Sequence, residues 1–410
     1  MWRKIFSPEF LFFTGTVQAI SPYLMWSFYG SNPYYSYQIT YIPLLVWVVG
    51  YCSFFCGCFL CGNSLKKNQV IDLNSFCLVG IDFKILKKGF YLLTILIALQ
   101  IYLISLSYGY LPIQEILTGG SKNINDINTG ADDTGFGQLG LFVNCLFLFN
   151  ALLLTLIIKS VEEQRKLSFS IIICIAVAAF GTLVTGKRQG LFIMILFVAS
   201  GLSIRFNDPI RSILSSFKIY LTKKKIFIMA IIFLAVLINL FGFMASVRVG
   251  SGYQISAFDE ISNYLQWPLI NFESQCEQAG FGPKSFNPAY TFAFLLPSRL
   301  SQELGVLTAF GPTRPEISSP SGFYELIHWG TGTYGVIIFA FIIGVISKYF
   351  YNNSFNSLIH LLIYCQMTWT LFASHTYNHF IFFAFLPLPC LLFYIFYLIL
   401  SSKTRVNKAG

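Results

Sequence analysis

Long apolar stretches alternate with short polar segments along most of the chain. Several of these stretches approach or exceed the roughly 20 residues that an α-helix needs to cross the hydrocarbon layer of a membrane. Strict alternation of apolar and polar positions, which would indicate strands, does not compete with them. The pattern predicts ten membrane-spanning helices, at about residues 9–29, 39–61, 89–109, 136–158, 168–185, 190–204, 226–246, 333–351, 357–374 and 379–400.

The longest polar interruption of this pattern lies between the seventh and eighth predicted spans. It divides the chain into seven helices within residues 1–246, a large loop at 247–332, and three helices with a basic tail at 333–410. Loops of this length are uncommon in compact proteins unless they are functional or disordered. The segment SAFDEISNYLQWPLINF within the loop has the pattern of an amphipathic helix. We therefore expect a large outer loop that contains short helices.

Composition supports a membrane protein. Of the 410 residues, 55% are hydrophobic, 18% are aromatic and only 11% are charged. This is far more apolar surface than the core of one soluble domain could bury. The expected fold is therefore an all-α polytopic membrane protein, in which the helices form one bundle.

The distribution of charge predicts an orientation. With the N-terminus inside, 20 of the 27 Lys and Arg residues fall on the cytoplasmic side, and 11 of the 17 acidic residues fall on the opposite side. Cytoplasmic loops of membrane proteins carry such an excess of cations, so both termini are predicted to be cytoplasmic. The formal net charge of +10 then indicates attraction to anionic lipid at the inner face, and gives no support to nucleic-acid binding.

A few cations lie on the predicted outer side, where short loops are usually poor in positive charge. Lys187 and Arg188 occupy the turn between the fifth and sixth spans, and Arg248, Arg299 and Arg314 lie in the large loop. A guanidinium group binds phosphate oxygens in pairs, so several arginines favour an anion with many oxygens. A lipid-linked diphosphate is the predicted ligand. The alternative is that these side chains reach up to lipid headgroups without binding a substrate.

Three segments carry recognisable motifs: VTGKRQGL at 184–191, YLQWPLINF followed by FGPKSFNPAYTFAFLLPSRL, and SPSGFYELIHWGTGTYG at the start of the eighth span. Together with the topology, they resemble the O-antigen and oligosaccharide repeat-unit polymerases of bacterial envelopes. The resemblance covers roughly residues 170–350. It implies a multi-pass glycosyltransferase of the bacterial inner membrane, with a GT-C-like bundle and a periplasmic active site.

The resemblance also implies a reaction and residues for it. Such enzymes transfer a growing glycan from undecaprenyl diphosphate to the next lipid-linked repeat unit, and a regulator of polysaccharide chain length is a further candidate partner. Arg188 matches the arginine of the family's Gly-x-Arg turn. Glu325 falls near the acidic position that precedes a Gly-x-x-Gly motif, here Gly332 to Gly335.

The proposed chemistry needs a group that removes a proton from the attacking sugar hydroxyl. Glu325 and His328 are the main candidates for this base or for orienting the acceptor. Other candidates are His375, His379, Asp259 and Glu273. No carboxylate pair has the spacing of a divalent-ion motif, so neither a metal nor a cofactor is expected. The cysteines of CSFFCGCFLC at 52–61 lie in continuous apolar sequence and are interpreted as packing residues.

Other functions stay open at this point. An O-antigen ligase, or another lipid-linked glycosyltransferase, would share the membrane architecture, although the ligases carry a His near the position of Ser321. A flippase or other transporter of lipid-linked oligosaccharide would place charged residues along a path through the membrane. A non-catalytic envelope assembly protein would not need its outer arginines.

Overall fold

The structure is a computed structural model that describes most of the apolar part of the chain. The described residues are 2–29, 41–65, 82–108, 136–184, 188–206, 208–216, 225, 228, 231–232, 235, 239, 272–273, 276, 279–283, 286, 324–374 and 386–409.

Every regular element in these residues is an α-helix, and no strand occurs among them. The helices, numbered in chain order, are α1 (Trp2–Ile5), α2 (Pro8–Tyr29), α3 (Ile42–Leu65), α4 (Phe83–Tyr108), α5 (Phe136–Glu162), α6 (Phe169–Val184), α7 (Arg188–Arg205), α8 (Pro209–Ser216), α9 (Glu325–Asn353), α10 (Leu358–Phe372) and α11 (Pro387–Ala409). Of the predicted span at 226–246, the described positions are helical.

Four of the described helices are long and apolar enough to cross a membrane, in the segments Ile42–Gly62, Phe83–Leu103, Cys145–Glu162 and Ile327–Asn353. Shorter apolar segments are found in α6, α7, α10 and α11. The predicted all-α membrane architecture is confirmed at this level. The number of ten spans and the GT-C-like arrangement stay predictions.

The chain forms two compact units. Unit 1 contains residues 1–77 and 262–394, and unit 2 contains residues 78–261 and 395–410. Unit 1 is built from α1, α2, α3, α9 and α10, whereas unit 2 is built from α4 to α8.

In unit 1, α3 and α9 run parallel and approach so closely that glycine is needed at the contact. A Cβ atom on Gly57 would lie 2.3 Å from the carbonyl oxygen of Phe341, and one on Gly344 would lie 2.2 Å from that of Phe54. Two hydrogen bonds cross the same interface: Ser53 Oγ donates to the Ile337 carbonyl at 2.6 Å, and Cys58 Sγ donates to the Gly344 carbonyl at 3.3 Å. Cys58 is therefore used in packing and hydrogen bonding.

The N-terminal segment is tied to α9 and α10 by hydrogen bonds. Tyr351 Oη donates to the Arg3 carbonyl at 2.9 Å, and Tyr364 Oη donates to the Phe6 carbonyl at 2.6 Å. An ion pair joins the same elements, because Lys348 Nζ lies 2.5 Å from Glu9 Oε1. These contacts close the end of unit 1 that is predicted to be cytoplasmic.

Breaking the ion pair from one side is expected to destabilise the protein. The Lys348 and Glu9 side chains are only 17% and 25% exposed, so Lys348→Met or Glu9→Gln alone leaves a partly buried charge without its partner. We expect each to lower the free energy of unfolding by about 1–2 kcal/mol. The double variant should lose less than the sum of the two. The check is a double-mutant cycle on thermal unfolding in detergent, and additive losses would show that the pair is not coupled.

In unit 2, α5 provides the core and contacts α4, α7 and α8. Every residue from 151 to 160 is buried. The Phe149 ring packs on Phe90 of α4 at 4.6 Å between centroids. Arg205, the last residue of α7, forms an ion pair with Glu162, the last residue of α5. Polar anchoring at the helix ends and apolar packing between them hold unit 2 together.

Candidate functional site

The start of α9 in unit 1 has the most unusual backbone in the described part of the chain. The apolar pattern predicts a span that begins at residue 333, but α9 begins at Glu325 and is interrupted at Gly332. There φ is 66° and ψ is −164°, a conformation that is essentially restricted to glycine. The helix therefore has a short first part, which carries Glu325 and His328, and a long second part.

A piece of the large loop occupies the interruption. The backbone N–H and the side-chain hydroxyl of Thr333 both donate to the carbonyl of Phe281, at 3.1 and 2.9 Å. A Cβ atom on Gly332 would lie 2.9 Å from backbone atoms of Gly282 and Pro283. Phe281 thus accepts hydrogen bonds at the point where the long part of α9 begins. The loop segment 280–283 and the glycine break fit each other closely.

His328 lies in the short first part of α9 and is fully buried. Its ring meets the ring of Phe272 edge-on, with 5.4 Å between centroids and an interplanar angle of 87°. The backbone of Gly280 lies beside the imidazole. Neither ring nitrogen has a hydrogen-bond partner of good geometry among the described residues. A neutral imidazole has one donor and one acceptor, and buried polar groups in proteins are nearly always paired. The Gly280 backbone can account for one ring nitrogen at most, so in the described part of the chain the other is left to bind a polar group.

Glu273 and Cys276 are also buried, at 2% and 1% exposure, and belong to the loop segment that contains Phe272. A carboxylate is almost never fully buried unless it is paired, because burial removes its hydration. Glu273 was a secondary base candidate in the sequence, and the structure places it next to the residue that contacts His328. In the segment NFESQCEQ, the one-turn spacing of Phe272 and Cys276 is the sequence signal for a buried helix face. The spacing does not by itself indicate that this face contacts His328.

Tyr324 fixes the position at which α9 begins. It immediately precedes α9 and is 1% exposed, and its ring meets that of Trp47 at 4.7 Å. Gly50 of α3 lies directly against the phenol, since a Cβ atom there would be 2.5 Å from the Tyr324 hydroxyl. Burial raises the pKa of Tyr324 well above its ordinary value. The phenol therefore stays protonated and neutral at any physiological pH.

The other residues predicted from the sequence are described in part or not at all. Arg188 is the first residue of α7 in unit 2, and Glu325 is the first residue of α9 in unit 1; for both, the structure describes the backbone. Close packing at the start of α7 is made possible by Gly190, where a Cβ atom would lie 3.0 Å from Thr182 Cγ2. Lys187, Arg248, Arg299, Arg314, Asp259, His375 and His379 lie outside the described residues.

The described part of the chain was also compared with the side-chain groups that bind metal ions. No group of three or more His, Cys, Asp and Glu side chains that could hold a metal ion occurs there. In the cysteine-rich segment of α3, Cys52 and Cys56 are exposed on the helix surface, whereas Cys58 is buried.

Comparison with known proteins adds no further evidence: the chain matches no protein-family model, no curated protein and no solved structure.

Proposed function

We propose that the protein is a membrane glycosyltransferase that polymerises lipid-linked oligosaccharide repeat units. Its substrates are undecaprenyl-diphosphate-linked glycans, its membrane is the bacterial inner membrane, and its active site faces the periplasm. Both termini are then cytoplasmic, and the helices form a ten-span GT-C-like bundle. The support from the sequence is the excess of cations on one side and the motifs in the large loop.

The observation that carries the proposal is the environment of His328. It is a buried imidazole with unused hydrogen-bonding capacity, at the end of α9 that is predicted to face outward. The Phe272 ring contacts His328 directly. The Trp47 ring contacts Tyr324, which immediately precedes the short helix. These three rings are themselves buried, so they hold the imidazole and the short helix in place. A general base needs to be within hydrogen-bond reach of the hydroxyl that it deprotonates. Beyond the Gly280 backbone, no polar partner of the imidazole is found among the described residues.

The reaction has a simple balance of bonds. An acceptor sugar hydroxyl attacks the anomeric carbon of the donor, and a new C–O bond forms as the bond to the diphosphate oxygen breaks. The electron pair leaves with the diphosphate, and the hydroxyl proton passes to a ring nitrogen of His328, with Glu325 as the acceptor-orienting group. Negative charge grows on the leaving group, and positioned guanidinium groups stabilise such charge. Arg188, Arg248, Arg299 and Arg314, assisted by Lys187, are the proposed ligands of the diphosphate.

The test is the length of glycan chains in cells that carry His328→Gln, His328→Ala, Arg188→Ala or Arg188→Lys, after membrane levels have been matched. Loss of a general base costs about 10²–10⁴ in rate, so both His328 variants should reduce the ladder of chain lengths to single repeat units. Arg188→Lys should behave like Arg188→Ala, because an ammonium group cannot replace the paired contacts of a guanidinium.

His360→Gln is the matched control. His360 is a half-buried histidine of the same unit and contacts the rings of Tyr349 and Phe350 at the far end of α9. Its replacement should leave the ladder intact. A normal ladder in the His328 and Arg188 variants would contradict the proposal. Full-length lipid-linked polymer that fails to reach lipid A would indicate a ligase, and loss of every outward-facing glycan would indicate a transporter.

A further inference from the structure

A polar cluster in unit 2 has no role in the proposed reaction. It joins α4 to the start of α6 and contains three hydroxyl groups in mutual contact. Tyr91 Oη lies 2.5 Å from Ser170 Oγ and 3.1 Å from Ser168 Oγ, and the two serine oxygens are 2.7 Å apart. Lys87, one helical turn before Tyr91, places its ammonium group 5.7 Å from the centre of the Tyr91 ring. All four side chains are partly exposed.

This end of unit 2 is electropositive. The nearby carboxylate of Glu163 is already paired with two cations, Lys159 at 2.9 Å and Arg165 at 2.7 Å. Glu162 is paired with Arg205. Asp82, just before α4, accepts the backbone N–H of Lys84. Among the described ion pairs no carboxylate is bound to the ammonium group of Lys87, and Lys84 and Lys88 add exposed positive charge on the same helix. An anion at the hydroxyl cluster would be attracted rather than repelled.

An apolar surface begins directly beside the cluster. On α4, Leu92 and Ile95 are 60% and 64% exposed, and on α6, Phe169 and Ile173 are 72% and 53% exposed. The helix α4 is long and apolar enough to cross a membrane, α6 is a shorter apolar helix, and the two contact each other. The last cation of α4 is Lys88, after which its apolar run continues to the other end. The cluster therefore lies where a lipid headgroup would meet the acyl chains.

We propose that Lys87, Tyr91, Ser168 and Ser170 form a binding site for the phosphate group of an anionic phospholipid, whose acyl chains lie on the exposed apolar faces of α4 and α6. Hydroxyl protons rotate freely, so the three hydroxyl groups can turn from one another and donate to phosphate oxygens. The ammonium group of Lys87 supplies the charge, as lysine does in many phosphate sites. This site is distinct from the proposed glycan chemistry, since it binds a structural lipid and does not use His328.

Native mass spectrometry of the full-length protein in detergent tests this site, with phosphatidylglycerol and phosphatidylcholine as the added lipids. The wild type should retain phosphatidylglycerol in preference to phosphatidylcholine. Hydrogen bonds to charged groups are each worth enough to change affinity about tenfold or more. Lys87→Ala, Tyr91→Phe and the double variant Ser168→Ala/Ser170→Ala should each therefore weaken phosphatidylglycerol binding by about tenfold.

Lys84→Ala and Lys88→Ala are the matched controls, because both remove an exposed lysine from the same helix and leave the cluster intact. They should change phosphatidylglycerol binding less than twofold. If all three lysine variants lost phosphatidylglycerol binding equally, the proposal would be overturned, because the binding would then depend on general surface charge. Inorganic phosphate that competes as well as the lipid would overturn the lipid assignment, since the acyl chains would then contribute nothing. Unchanged binding in the Tyr91 and serine variants would remove the hydroxyl groups from the site.

Discussion

Replacement of Gly344 by alanine is expected to destabilise the protein by about 3 kcal/mol, at the upper end of the range for overpacked cores. The added Cβ would lie 2.2 Å from a backbone carbonyl of α3 and within 3.2 Å of two further backbone atoms of Phe54. No side chain can turn aside to make room, so α3 and α9 must move apart. The bonds from Ser53 and Cys58 across the interface would lengthen or break with them. Gly57→Ala should have a similar effect, because its Cβ would meet the backbone of Phe341 and Val345.

The measurement is thermal unfolding of the purified protein in detergent, followed by tryptophan fluorescence and by the loss of the monodisperse peak. Gly62→Ala, on α3 like Gly57, is the matched control, since among the described residues its Cβ would meet only Lys348 Cε, at 3.4 Å. Alanine is the better helix former by up to about 1 kcal/mol, so this variant should be neutral or slightly stabilising. If Gly344→Ala and Gly62→Ala unfold at the same temperature, the close approach of α3 and α9 is not a source of stability.

The helices themselves could be predicted from the sequence because their signal is local. A run of apolar residues must be helical in a membrane, since every backbone polar group has to be satisfied within the segment. The predicted spans at 9–29, 136–158 and 168–185 lie within or near α2, α5 and α6. Which helices contact each other could not be predicted in this way. Ser53 and Ile337 are 284 positions apart in the sequence, and an apolar helix shows the same pattern whichever neighbour it contacts.

In the candidate site too, local features could be predicted from the sequence and contacts between distant segments could not. His328 was a candidate because its residue type and its position at the end of a span suffice to suggest a base. Its contact with Phe272, and the fit of Gly282 and Pro283 to Gly332, depend on the close approach of two backbones. The sequence shows such an approach only as glycines, and the chain has 31 of them. Gly332 belongs to the Gly-x-x-Gly motif, and its backbone conformation gives it a separate, structural reason to be glycine.

Gly332→Ala is expected to displace the loop segment 280–283 from the start of α9 and to expose His328. A side chain at φ 66° and ψ −164° is strained by about 1–3 kcal/mol, and its Cβ would also press on the backbone of Gly282 and Pro283 at 2.9 Å. The direct measurement is the rate at which diethyl pyrocarbonate modifies His328, read by peptide mass spectrometry. His328 is fully buried in the wild type and should become reactive in the variant, while the reactivity of His360 should stay constant.

Gly282→Ala provides the control from the other side of the same contact. Among the described residues, a Cβ atom there would have no neighbour closer than the Ala279 carbonyl oxygen at 3.7 Å, so the loop should keep its place and His328 its protection. Thr333→Val removes one of the two bonds to Phe281 and should expose His328 less than Gly332→Ala does, whereas Thr333→Ser keeps the hydroxyl and should resemble the wild type. If His328 stays protected in Gly332→Ala, the loop segment is not held by the glycine break. If His328 becomes reactive and the glycan ladder nevertheless stays normal, the enclosure of the imidazole is not needed for polymerisation.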